Sequence, residues 1–401
     1  MRYLHHVLSS FSISSPVWSL AFRPFFILAS LSSVLSLFLW LIYLNSGELI
    51  TDQQILPPVL WHIHEMFFAF TLTIAIGFLL TAVQTWTGLK SLQGYSLLGL
   101  SLIWIAIRCL LLLDKSQLPW LLEVIMFLQV VWWAVVLFSF ARLLFKAKSQ
   151  RNFIFIPLLI ALMILQLSFL YWSQEELALV KHLARSAVLV FSIIVGIIAG
   201  RVIPMFTRNA LAADVKQKIK LTAWLDGMIL IFSLLGSGNF LFSYFYSLPL
   251  NPAWTLFVVG ALHLARLSQW RSIYTLNNPL LWSLHLAYLC LASGLILIAL
   301  SFYSAQVLMS DAFHLVTVGV FGGMILAMMV RVSLGHTGRP LQVNNWLVVA
   351  FLLIFIAVIL RVLLAILVQP LSAWNSSALL WIAAYSIFLR FYIPVLTSSR
   401  K

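Results

Sequence analysis

The chain alternates long apolar runs with short polar interruptions, and twelve such runs begin near residues 22, 60, 94, 119, 152, 179, 222, 252, 279, 309, 343 and 372. About 20 apolar residues suffice to cross a hydrocarbon core of about 30 Å. The backbone finds no water there and must bond to itself, so each run is predicted to be a helix. The expected fold class is all-α, a polytopic transmembrane helix bundle of about twelve spans. A cytoplasmic N-terminal segment is expected over 1–21 and the twelve-helix domain over 22–397. The N-terminus lacks a short apolar core followed by a small-residue cleavage site, so the first span reads as a retained anchor. There is no low-complexity tail and no clear internal repeat.

Composition narrows the class further. Of the 401 residues, 63% are hydrophobic and 8% charged, and the mean hydropathy is +1.06. A soluble domain carries about 25% charged residues, so a soluble enzyme, a disordered chain and a nucleic-acid binder are all excluded. The net charge of +14 follows from topology. With the N-terminus cytoplasmic, 19 of the 24 Lys and Arg fall on the inner side, and Arg108, Lys115, Lys181, Arg185 and Arg361 remain outside. That bias makes both termini cytoplasmic, and contact with the anionic head groups of the lipid bilayer accounts for the charge without nucleic acid. Cys109 and Cys290 have no metal-ligand spacing and are expected to be small buried side chains.

Ionisable side chains within spans are costly and mark function by default, so the nine histidines carry the chemical information. His5 and His6 lie in the polar N-terminus, and His182 lies at the outer boundary of the sixth span. His62, His64 and His314 share a level near the outer ends of the second and tenth spans. His263 and His285 share a second level, about 10 Å from the cytoplasmic face. Histidines from different helices at a common depth suit axial ligation of a flat cofactor. Interhelical hydrogen bonding is the competing reading for His263 and His285, and an outer vestibule is the competing reading for His62 and His64.

Helix geometry constrains the segment from Trp61 to Met66. His62, Glu65 and Met66 share one face, whereas His62 and His64 point apart. Either the helix starts irregularly, or one histidine is a ligand and the other serves a different site, with Glu65 available to fix an imidazole tautomer. Trp282, His285 and Tyr288 could form an aromatic wall or ordinary packing. His336 lies in a glycine-rich inner loop, where it could cap a helix, contact a propionate or bind a metal. Gly196 and Gly200 permit helix contact or a cofactor face, and Gly319, Gly322 and Gly323 permit close approach after His314. Met324 and Met328 suit core filling better than copper ligation.

These segments carry a resemblance. The run from Phe22 to Phe26, the Trp61 to Met66 segment, and Gly77 to Ala82 leading to Trp86, Thr87 and Gly88 resemble the NnrS family. So do Gly200 to Pro204 with Phe206 and Thr207, His314 to Gly319, and Arg331 to Arg339. Ala199 departs from the glycine expected before Gly200. The ordered set covers nearly the whole chain. The resemblance implies a bacterial inner-membrane protein carrying haem and copper that protects against nitric oxide and nitrosative stress. It places His62, His64, His314 and His336 in matched segments, whereas His263 and His285 rest on depth alone.

The expected arrangement has an outer site using His314 with His62 or His64, and an inner site using His263 with His285. Arg201, Arg331 and Arg23 would meet the propionates of haem b on the inner side. Nitric oxide is the expected ligand or substrate, and quinol or another membrane electron donor the expected source of electrons. A haem-dependent oxidoreductase, a sensor or metal-handling protein, and a secondary transporter all remain open, as does the oligomeric state. A haem-copper oxidase relative is disfavoured, because the one adjacent histidine pair, His5 and His6, lies outside the spans.

Overall fold

The computed structural model describes residues 15–47, 50, 53–116, 118–365 and 369–401. His5 and His6 lie outside the described residues. All twelve apolar runs are helical: α1 (Phe22–Ser46), α2 (Pro58–Thr87), α3 (Tyr95–Leu110), α4 (Leu121–Lys146), α5 (Phe155–Tyr171), α6 (Leu177–Ala210), α7 (Ala223–Phe242), α8 (Pro252–Ser268), α9 (Pro279–Leu300), α10 (Met309–His336), α11 (Asn345–Leu364) and α12 (Pro370–Thr397). Among the described residues, ten helices are long and apolar enough to cross a membrane. The other two, α3 and α8, have 16 and 17 residues. At 1.5 Å per residue they reach about 24 and 26 Å, short of a full hydrocarbon core.

Local sequence explains the boundaries. Helices α2, α8, α9 and α12 begin on proline, which has no N–H to lose in the first turn. Asn251, Asn278 and Asn344 cap α8, α9 and α11 by accepting from Ala253, Leu280 and Leu347 N–H groups. Gly47 and Gly88 end α1 and α2 in the left-handed conformation that glycine adopts without strain.

Regular winding breaks at three places. Residues His64–Thr71 within α2, Thr317–Met324 within α10 and Leu360–Leu364 within α11 are π-helical. Such widened turns cost backbone regularity and recur at functional sites. The second span starts as a regular α-helix over Pro58–Ile63, and its irregular winding begins at His64.

The chain forms two compact units. One comprises Met1–Ala184, Met329–Leu341 and Tyr385–Lys401, and the other Arg185–Met328 and Gln342–Ala384. In the first, α1 packs along α2, α2 and α3 against α4, and α4 against α5. Its core includes Phe22, Phe25, Phe26, Phe70, Trp133 and Phe169. In the second, α7, α8, α9, α10 and α11 pack each against the next.

An internal repeat, which the residue pattern alone does not display, becomes visible in these elements. Gly88 follows His64 by 24 residues and Gly338 follows His314 by 24; both glycines have positive φ and both succeed a threonine. The next helices, α3 and α11, each begin 31 residues after their histidine. Each pair thus has a histidine near the start of a partly π-helical span, a Thr-Gly stop, and a second helix carrying one arginine near its end, Arg108 or Arg361.

Candidate functional site

In the first unit, the polar centre is a directed chain of hydrogen bonds around His64. Trp133 donates its indole N–H to Gln166 Oε1 at 2.8 Å, which orients the amide. The Gln166 Nε2 group, 3.3 Å from His64 Nε2, can only donate, so the imidazole accepts there. His64 Nδ1 then carries the proton and donates to Glu65 Oε1 at 3.1 Å. Arg108 Nε lies 3.1 Å from the same carboxylate oxygen, and the Ser32 hydroxyl donates to Oε2 at 3.4 Å. The rings of Phe68 and Phe169 pack against the imidazole at 5.7 and 6.1 Å, and His64 is fully buried.

Glu65 was expected to share a face with His62, yet it serves its neighbour His64. The cause is the π stretch, whose wider turn brings adjacent side chains closer in direction than α winding does. His62 instead stacks on Trp40, with centroids 4.4 Å apart and planes 21° from parallel.

The second unit has a comparable centre at the start of α10. Arg361 donates from Nη1 to Asp311 Oδ1 at 2.6 Å, and its Nη2 lies 3.1 Å from His314 Nδ1. The Ser310 carbonyl is 2.6 Å from the same nitrogen. These partners demand opposite tautomers, since a guanidinium only donates and a carbonyl only accepts. The shorter contact favours a protonated Nδ1 donating to Ser310. Glycines 319, 322 and 323 receive Cys290, Trp381 and Phe355 from the same unit, so close approach there serves packing.

The second unit also holds the inner histidines, and the structure separates their roles. His263 Nδ1 lies 2.6 Å from the Tyr288 hydroxyl, which also accepts from Arg266 Nε at 2.6 Å. Arg266 donates further to the Gly196 carbonyl at 2.8 Å and to Asp226 at 3.0 Å. His285 has both nitrogens bonded, Nε2 to Thr207 at 2.9 Å and Nδ1 to Ser272 at 2.8 Å. Because the Thr207 hydroxyl donates to the Ile203 carbonyl, it accepts from His285, and Ser272 donates. Trp270 packs on His285 and on Tyr288, and Tyr288 packs on His263; no hydrogen bond joins the two histidines. The expected aromatic wall divides, since Trp282 packs on Phe351 and Phe355.

Other expectations shift with the geometry. A Cβ on Gly196 would lie 3.1 Å from His263, and one on Gly200 would lie 2.6 Å from Arg266. The glycine step therefore seats two polar side chains as well as helix surface. Cys290 is buried, but Cys109 is exposed, because Ile107 and Arg108 take the inward face of α3. Met324 is in the core as expected. His336 ends α10 with its ring 5.6 Å from Phe22. Arg201 and Arg331 are half-buried on α6 and α10. Arg23 is buried, and its Nη1 donates to the Leu396 and Ser398 carbonyls.

The donor chemistry bears on the groups that the resemblance implies. An axial imidazole needs an anchored Nδ1–H and a presented Nε2 lone pair. His64 meets both conditions once the Gln166 amide moves aside, and His314 has the anchored Nδ1–H in its Ser310-bonded tautomer. His285 carries its proton on Nε2 and accepts at Nδ1, the opposite tautomer, and does not meet them. Among the described residues, no group of three or more His, Cys, Asp or Glu side chains could hold a metal ion.

Residue patterns alone missed Gln166, Trp133 and Asp311, and counted Arg108 and Arg361 only as outer cations. Gln166 and Arg361 were accessible to the same rule that singled out the histidines, being polar side chains inside apolar runs. A family model described as NnrS protein matches residues 16–400, nearly the whole chain. No curated protein matches it.

Proposed function

The chain belongs to the NnrS family, and we propose that it is a haem-binding membrane protein in which His64 and His314 provide axial imidazoles. Family membership supports a place in the nitric oxide response, and the ten long apolar helices fit a multi-pass protein of the lipid bilayer. The observation that carries the haem reading is the His64 imidazole, held by a buried carboxylate at Nδ1 with its Nε2 lone pair directed away from Glu65.

Bound haem b would supply an iron coordination position for nitric oxide and one-electron redox chemistry. The residues supply the rest. Glu65 fixes the His64 tautomer and increases its basicity as a donor. Arg108 pairs with that carboxylate and holds it in place, and Phe68 and Phe169 exclude water from the ring. At His314 the order differs: Arg361, paired with Asp311, lies against the imidazole, and the Ser310 carbonyl anchors Nδ1. Arg201 and Arg331 are the cations assigned to propionates. Copper belongs to this reading through the family resemblance, without assigned donors. Quinol or another membrane electron donor would deliver electrons, and the bias of 19 among 24 cations supports a bacterial inner membrane with both termini cytoplasmic.

The test is spectroscopic. Full-length protein purified in detergent from haem-replete cells is expected to show a b-type spectrum on reduction and a Soret shift on adding nitric oxide. A colourless protein would refute the reading, and consumption of nitric oxide in the presence of quinol would establish turnover beyond binding.

A further inference from the structure

Two segments far apart in sequence meet at one end of the first unit, the start of α1 and the stretch that follows α10. The Phe22 ring lies 5.6 Å from the His336 imidazole. Arg23 Nη1 donates to the carbonyls of Leu396 and Ser398 at 2.9 and 2.7 Å, and Arg339 Nη2 donates to Ser398 Oγ at 2.7 Å. Lys401 N–H bonds to the Thr337 carbonyl at 3.0 Å. Both guanidiniums therefore hold the same C-terminal segment.

These bonds leave donors over. Arg23 Nε and Arg339 Nη1 are buried with no hydrogen-bond partner among the described residues, and Arg23 as a whole is only 2% exposed. A buried charged donor without an acceptor is costly. The neighbourhood adds like charge, since Arg23 feels Arg339, and His336 feels both Arg23 and Arg400. None of the four ion pairs among the described residues involves any of these side chains. Backbone donors nearby are committed, Phe22 N–H to Thr81 Oγ1 and Arg23 N–H to the Leu20 carbonyl.

Position indicates the chemistry of the missing acceptor. Arg23 is the second residue of α1, while Arg339 and Arg400 each lie three residues beyond the last residue of α10 and α12. Three spans thus end beside these cations, at the level where apolar side chains give way to head groups. Two guanidiniums that each present a donor suit a tetrahedral oxyanion better than a planar carboxylate, which a single fork can satisfy.

We infer that Arg23 Nε and Arg339 Nη1 bind a phosphate group, with the exposed Arg400 adding charge at its outer side. The phosphate comes from an anionic phospholipid head group or from free phosphate. This site is independent of haem, and it gives the remaining donors of Arg23 to a phosphate in place of a propionate.

The test uses full-length protein in a maltoside detergent, which carries no phosphate. Its thermal unfolding midpoint is followed during titration with phosphatidylglycerol, with inorganic phosphate, and with oleate as a carboxylate amphiphile. The wild type is expected to gain stability from a phosphate-bearing ligand and not from oleate. Arg339→Gln leaves both carbonyl bonds of Arg23 in place, and Arg23→Lys keeps the charge while removing the fork. Each should weaken the response roughly tenfold or more, the scale of one lost charge-assisted hydrogen bond. A response to phosphatidylglycerol alone identifies a lipid head group, and a response to inorganic phosphate as well identifies a site open to the free ion; either supports the assignment. Native mass spectrometry provides a second readout, with co-purified phospholipid expected on the wild type and reduced on Arg339→Gln if the source is lipid. No response to either phosphate ligand, an equal response to oleate, or an undiminished response in Arg339→Gln would overturn it.

Discussion

Gln166 donates to His64 Nε2 across 3.3 Å, at the one ring nitrogen that the Glu65 carboxylate does not engage. The amide thus occupies the position from which a metal would draw the imidazole lone pair. A hydrogen-bond chain runs from Trp133 through Gln166 to His64, and coordination at Nε2 would require its middle member to turn away.

Replacing Gln166 with Leu should accordingly cost stability in the cofactor-free protein. The Trp133 N–H and His64 Nε2 would both lose partners in a buried site, at about 1–3 kcal/mol for each unsatisfied group. If His64 holds haem as proposed, its Nε2 would no longer depend on the amide, so the penalty in the haem-loaded protein should shrink. Thermal unfolding of both forms measures the difference, and an equal penalty in each would show that His64 Nε2 keeps its amide partner.

Glu65→Gln removes the charge opposite Arg108. Breaking a buried pair on one side costs about 3–5 kcal/mol. It also makes His64 a weaker donor, which favours the reduced iron and should raise the haem midpoint potential. Potentiometric titration reads the second effect separately from stability, and an unchanged potential would detach Glu65 from the haem.

Asp311→Asn tests the corresponding pair in the second unit. Arg361 would retain its approach to His314 but lose its counter-charge, with a loss on the same scale of about 3–5 kcal/mol. Chemical or thermal unfolding in detergent measures it. A near-neutral result would show that the 2.6 Å contact between Arg361 and Asp311 contributes little net stability.

Gly200→Ala addresses the inner cluster. Its Cβ would lie 2.6 Å from Arg266 Nη1 and would push the guanidinium off the Gly196 carbonyl. Overpacking of this kind costs about 1–3 kcal/mol. Tyr288→Phe should destabilise comparably, by leaving Arg266 Nε and His263 without their shared hydroxyl.

The helices were legible because the bilayer enforces one rule on every apolar run. The same rule located the helices of α3 and α8 but not their insufficient length, since Arg266 and His263 belong to packing that sequence does not reveal. The depth of His64 was legible and its partner was not. Which of His62 and His64 meets Glu65 depends on π winding, a feature of how α2 packs. Gln166 and Asp311 join their centres from other turns or helices, and no local spacing announces such meetings. The repeat stayed hidden because its copies share landmarks, a histidine, a Thr-Gly stop and a terminal arginine, with little else in common.

The central claim is that His64 and His314 ligate haem. Haem content and the reduced spectrum of purified His64→Ala, His314→Ala and His285→Ala measure it most directly, with the last as a buried histidine that holds its proton on Nε2. The account predicts loss of bound haem or an altered spectrum in the first two and wild-type haem in the third. Full haem content with an unchanged spectrum in both His64→Ala and His314→Ala would contradict it.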